Sequence, residues 1–151
     1  MTEGQMAVML EQAREQFDYC FLDAPAGLEG GFQLATCAAD RAVVVATADA
    51  SSLRDAQHTV MELHQFPVGQ LHLVVNRVRK KMLRSMHATI DDAIDRAGLP
   101  LIGVIPEDDS LPLYLNKGVP LLLGTRQGAA AAYKNIARRL EGQKVPLLRI
   151  R

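Results

Sequence analysis

The sequence predicts an α/β fold: a partial doubly wound parallel sheet of about four strands with flanking helices. Short apolar runs alternate with stretches of helical periodicity along the whole chain. The run Ala42-Val43-Val44-Val45-Ala46 is apolar at every position, as expected of a parallel strand covered on both faces. Polar residues follow each run, at the strand ends where open parallel sheets carry their ligands. The chain has 151 residues, 48% of them hydrophobic and 23% charged, which suits one domain over 1–151 with an ordinary core.

From Gln5 to Phe17, Met6, Met9, Leu10, Ala13 and Phe17 recur at three- and four-residue steps, which predicts an amphipathic helix. Tyr19-Cys20-Phe21-Leu22 reads as the first strand, ending at Asp23, and Pro25 with Gly27 forces a loop. Helical spacing returns over Leu28 to Ala39, before the strand at Ala42. Ser52 followed by Asp55 resembles a capping box, and Leu53, Ala56, Val60 and Leu63 trace one helical face. A third strand spans Leu71 to Val75 and ends at Asn76. A helix from about Ser85 to Ala97 stops at Gly98, and a fourth strand runs from Leu101 to Ile105. The last helix, about Arg126 to Leu140, turns Tyr133, Ile136 and Leu140 toward a core and ends at Gly142.

Lys plus Arg and Asp plus Glu each number 17, so no global field draws nucleic acid or an anionic membrane, and no nucleic-acid partner is expected. No apolar stretch approaches the roughly 20 residues of a spanning helix. The N-terminus has neither a basic start nor an apolar core, which predicts a cytoplasmic protein. Cys20 and Cys37 sit among apolar residues and read as reduced, packed thiols. His58, His64, His72 and His87 lack metal-ligand spacing, and Ser51-Ser52 lacks the strained turn and base of a nucleophile.

The strand exits hold the candidate chemistry. Asp23-Ala24-Pro25-Ala26-Gly27 places an acid at a strand tip before a glycine, which suits either Mg²⁺ beside a phosphate or a plain cap at a strand-to-helix turn. Asn76-Arg77 offers an amide for a purine edge and a guanidinium, or a surface turn. Pro106-Glu107-Asp108 reads as an acidic helix-starting turn. Arg77, Arg79, Lys80, Lys81 and Arg84 form the one sizeable basic cluster, read as a solvated loop because no aromatic platform interleaves the charges.

The segment Phe17-Asp18-Tyr19-Cys20-Phe21-Leu22-Asp23-Ala24-Pro25-Ala26-Gly27 resembles the region around the Mg²⁺-associated aspartate of the MinD family of septum-site-determining ATPases, which are deviant Walker-A P-loop proteins of the MinD/ParA type. Ser51-Ser52-Leu53-Arg54-Asp55, Val75-Asn76-Arg77, Gly103-Val104-Ile105-Pro106-Glu107-Asp108 and Tyr133-Lys134-Asn135-Ile136-Ala137-Arg138-Arg139-Leu140 follow in that family's order, so the resemblance covers the C-terminal part of such a protein. It implies a truncated P-loop NTPase fold and a role in bacterial septum placement. The family binds and hydrolyses ATP with Mg²⁺, dimerises, associates with the inner membrane, and works with a division inhibitor and a topological factor. By position, Asp23 would hold the Mg²⁺ shell and Gly27 would sit beside the γ-phosphate. Asn76, Arg77, Pro106, Glu107 and Asp108 would line the adenine site, and Arg54 with Asp55 would mark the partner-binding helix.

The sequence also departs from the family. None of its 11 glycines is followed by Lys and then Ser or Thr, so it contains no G-x-x-x-x-G-K-[ST] loop to cradle and neutralise phosphates. The expectation is that this chain alone does not hydrolyse ATP. In the family the P-loop strand lies between the Asp23 and Val43 strands, which predicts open strand edges and self-association. Ala48-Asp49-Ala50 and Gln57 differ from the family's usual residues, and the 11 residues after Leu140, interrupted by Pro146, do not make a lipid-anchoring amphipathic helix. The alternatives are a standalone, nucleotide-deficient interaction module, a relative such as a partition protein, or a remnant without activity.

Overall fold

The computed structural model describes residues 1–25, 27–79, 81 and 90–148. Its first helix, α1 (Glu3–Gln16), opens with a reciprocal cap: the Gln5 N–H donates to Thr2 Oγ1 and the Thr2 N–H to Gln5 Oε1. Met6 and Leu10 are its buried residues, and it lies against α2 (Gly30–Thr36). Strand β1 (Arg41–Thr47) leads to α3 (Ala50–Leu63), then β2 (Gln70–Val78), α4 (Ile90–Ala97) and β3 (Leu101–Pro106). Two short helices, α5 (Leu111–Asn116) and α6 (Leu121–Gly124), precede α7 (Gly128–Leu140).

Among the described residues the sheet has three strands, all parallel, in the order β1-β2-β3. Its two faces carry separate cores, the partial double winding expected from the sequence. On one face Leu53, Ala56, Val60 and Leu63 of α3 and Ala93 and Ala97 of α4 cover Val44, Ala46, Leu73, Val75 and Val104. On the other, Ala129, Ala130 and Ala132 of α7 cover Val74, Ile102 and Ile105. Helix α7 packs tightly because β3 has Gly103 beneath Ile136; any side chain there would overlap Ile136 Cγ1. The Arg41 guanidinium donates to the Leu140 carbonyl, pinning the end of α7 to the start of β1.

Four expectations change, and a fifth falls partly outside the described residues. Among the described residues Tyr19–Leu22 forms no strand and pairs with none, and Phe21 is 86% exposed. An apolar run becomes a strand only where a neighbour completes its hydrogen bonds, and β1 presents a free edge instead. Cys20 is therefore exposed rather than packed. The cap of α3 is Asp49, which accepts from the Ser52 N–H at 3.0 Å, while Ser52 Oγ accepts from the Thr47 N–H at 2.9 Å. Strand β2 continues past Asn76 to Val78, and the helix expected from Ser85 is described only from Ile90.

Candidate functional site at the strand ends

The carboxyl ends of β2 and β3 meet at an irregularity. Val75 is opposite Val104 and Val78 opposite Pro106, so two residues of β2, Asn76 and Arg77, stand against the single residue Ile105. This is a β-bulge, and Arg77 takes the left-handed conformation, with φ +54°, that bulges usually give to glycine. The Asn76 side-chain oxygen supports it by accepting from the Arg77 N–H at 2.9 Å. Beyond the bulge the ladder resumes, with the Glu107 N–H donating to the Val78 carbonyl.

Glu107 is the centre of the site. Arg77 Nη2 lies 3.2 Å from its Oε1, and Arg79 Nε pairs with its Oε2. The Arg79 hydrogen bond, followed by that of Arg77, holds the carboxyl below the usual carboxylate range. Within the basic stretch expected to be a solvated loop, Arg77 and Arg79 stay exposed but converge on one carboxylate. Lys81 is exposed, and Lys80 and Arg84 lie outside the described residues. No local signal pairs Arg79 with a residue just past another strand.

Asp108 anchors the loop beside it. Its Oδ1 accepts from the Ser110 N–H and hydroxyl at 3.0 and 2.6 Å, and its Oδ2 accepts from the Ala129 N–H of α7 at 3.1 Å. Gly128, at φ +56°, admits that contact, since a Cβ would collide with Asp108 Oδ2. The carboxylate thus caps α7 from across the loop, at the helix end where negative charge is favoured. Pro106, the last residue of β3, is half-buried beside Glu107.

Asp49 has a comparable position at the end of β1, accepting from the Ser52 N–H and from the Thr47 hydroxyl. These bonds depress its carboxyl, and the Ser110 hydroxyl followed by the Ala129 N–H depresses that of Asp108. A carboxyl lowered on folding contributes stability above its unfolded value, about 4, and that contribution is lost as pH falls through the folded value. Asp108→Ala is expected to cost about 1–2 kcal/mol at neutral pH. In chemical denaturation followed against pH, the Asp49→Ala/Asp108→Ala double variant should lose less stability on acidification below about pH 4 than the parent.

The other candidates lie elsewhere. Asp23 and Gly27, the latter at φ +98°, are exposed on the segment outside the sheet, and no hydrogen bond or ion pair among the described residues joins them to Asn76, Arg77 or Glu107. Ala26 lies outside the described residues. Arg54 and Asp55 are exposed on the first turns of α3, with His58 and Met61 further along. Among the described residues no cluster of His, Cys, Asp and Glu has a metal-holding arrangement. His72 is half-buried on β2, and burial, followed by the Arg41 charge, favours its neutral form. His87 falls outside the described residues.

No family model matches the chain. The septum site-determining protein MinD of Synechocystis is 38% identical over 146 residues, 95% of this chain and 55% of that protein. The MinD cell division protein of Aquifex aeolicus superposes with a TM-score of 0.92 at 32% identity, over 99% of this chain and 64% of that one. A MinC:MinD complex from Aquifex aeolicus matches equally, with a TM-score of 0.92 over 99% of this chain and 63% of the matched chain, at 32% identity. The chain spans about half the length of the curated relatives it matches. Its sequence and its parallel sheet together place it in the MinD family of septum site-determining proteins.

Proposed function

We propose that the chain is the C-terminal part of a MinD-type cell-division ATPase domain, and that residues 1–151 alone do not hydrolyse ATP. The near-complete match to MinD relatives supports the first statement. The absence of a glycine-rich loop with its lysine from this sequence supports the second, because those groups neutralise the phosphates in the transition state. In this reading Asn76, Arg77, Pro106, Glu107 and Asp108 belong to the base side of an ATP site, and Asp23 with Gly27 to its Mg²⁺ and phosphate side. The Aquifex complex supports a MinC-like division inhibitor as a partner, and the sequence resemblance would put it on α3 around Arg54 and Asp55, the face also expected to meet a topological factor.

A second reading, a self-associating interaction module without nucleotide, draws on the free edge of β1. Ala42–Ala46 carries no charge or proline to discourage pairing, and Val45 is 59% exposed on the face that α7 leaves bare. Among the described residues no helix is long and apolar enough to cross a membrane.

Calorimetric titration with Mg·ATP and Mg·ADP, on a preparation characterised by sedimentation, tests both readings. The expected result is no heat up to millimolar nucleotide and a concentration-dependent dimer. Tight binding would overturn the nucleotide deficiency, and a clean monomer at high concentration would remove the self-association.

A further inference from the structure

The zero net charge of the chain conceals an uneven distribution. Residues 110–140 hold five of the 17 Lys and Arg and none of the 17 Asp and Glu, so the remainder carries 12 basic against 17 acidic residues. They form α5, α6 and α7, which pack into the core on one side of the sheet through Leu111, Tyr114, Leu121 and the α7 alanines. Lys117, Arg126, Lys134 and Arg138 are exposed, and among the described residues no acidic side chain pairs with any of them. Asp108 and Asp109 precede this layer and Glu141 follows it, and counting all three still leaves it positive. Glu107 is already covered by Arg77 and Arg79.

The same layer exposes apolar surface that the fold does not use. Helices α5 and α6 make a hairpin turning at Lys117 and Gly118, with the Tyr114 ring lying against Gly124. Leu111, Tyr114 and Leu121 turn inward, which leaves Leu113, Leu115, Leu122 and Leu123 exposed, the last by 79%. Four exposed leucines on two short helices mark an interaction surface. The other exposed apolar stretch, Phe17–Leu22, contains Asp18 and is followed by Asp23 and Glu29 without a cation, so it lacks this charge.

We infer that the α5–α6 hairpin and the cations around it dock on an anionic lipid surface. The leucines enter the apolar edge of the headgroup region, while Lys117, Arg126 and the α7 cations reach lipid phosphates. The choice of occupant follows from the charge. Cations without internal partners, spread over three elements on long flexible side chains, match the diffuse negative charge of a headgroup layer, and the leucines find an apolar phase directly beneath it. A second copy meeting the same face would set these cations against one another. The inference is independent of the nucleotide reading above.

Flotation of the full chain with vesicles of equal parts phosphatidylglycerol and phosphatidylcholine, at low ionic strength, tests the docking. Binding is expected to be several-fold weaker on pure phosphatidylcholine and to fall on the mixed vesicles as salt is raised. Leu115→Ser/Leu123→Ser should weaken binding to the mixed vesicles at every salt concentration. Lys117→Glu/Lys134→Glu should weaken it several-fold at low salt and make little difference at high salt. All four residues are exposed, so both variants should melt with the parent; should the leucine variant fold poorly, the lysine variant decides. No binding to the mixed vesicles, or parent-like binding in the lysine variant, would overturn the inference. Leucine-dependent dimers in sedimentation, with no flotation, would assign the surface to a second copy and overturn it as well.

Discussion

Truncating Leu73 to alanine is expected to cost about 3 kcal/mol, the largest effect of any single core truncation in this chain. Leu73 is fully buried on β2, the central strand, with Val44 of β1 beside it in register. Its side chain lies in the core that α3 and α4 close over the sheet, so the cavity would be flanked by strands on both sides and by helices above. Strands tied into a ladder cannot collapse into such a void as a surface helix can, which keeps the cavity term high. Against a typical domain stability of about 5–15 kcal/mol, the loss removes a large fraction of the total. It should lower the thermal midpoint by roughly 10 °C and shift the urea midpoint with little change in slope. A loss below about 1 kcal/mol would mean that β2 does not occupy the middle of a packed sheet.

The opposite change, adding volume on the other face, has a comparable effect for a different reason. Gly103→Val is expected to destabilise the chain by about 3 kcal/mol. Ile136 of α7 rests where the new side chain would be, and α7 contributes Ala129, Ala130 and Ala132 to the second core. Small residues on the helix and a glycine on the strand bring the two backbones close, so valine must lift the whole helix rather than push one side chain aside. That displacement would strain the Ala129 bond to Asp108 at one end of α7 and the Arg41 bond to Leu140 at the other. Gly103→Ala should cost less, and Ile136→Ala combined with Gly103→Val should recover part of the loss. A double-mutant cycle by urea denaturation measures that coupling, and strict additivity would show that the helix does not rest on Gly103.

What the sequence discloses about this fold follows from the range of each interaction. The Val43 run, Leu71–Val75 and Leu101–Ile105 are legible because a parallel strand covered on both faces must be apolar throughout, whichever partners it finds. Tyr19–Leu22 has the same composition, yet strand formation depends on a neighbour, and neighbours are not written into a local run. The short helices α5 and α6 escape detection because Pro112 and Pro120 interrupt the pattern and neither helix is long enough to establish a period. At the site, Asn76 and Glu107 are foreseeable as strand-end residues. The Arg79–Glu107 pair, 28 positions apart, is not, nor is the use of Asp108 to hold a helix beginning 20 residues later. The sequence pattern locates a cap at the start of α3 but on Ser52 rather than Asp49, since both have the right chemistry and only the backbone decides between them.

The division into two cores also gives the molecule two optical signatures. The chain has no tryptophan, three tyrosines and four phenylalanines. Phe32 and Phe66 meet edge to face at 5.8 Å in the core under α3 and α4. Tyr114 and Tyr133 pack into the core under α7, while Tyr19 lies outside both cores, 62% exposed, with its hydroxyl bonded to Glu141. In near-ultraviolet circular dichroism, chirally held rings give signal and freely turning ones give little. The fine structure of phenylalanine should therefore follow one face of the sheet, and the tyrosine band the other. Loosening of α7 would extinguish the second while leaving the first intact, so a single spectrum distinguishes loss of one layer from loss of both.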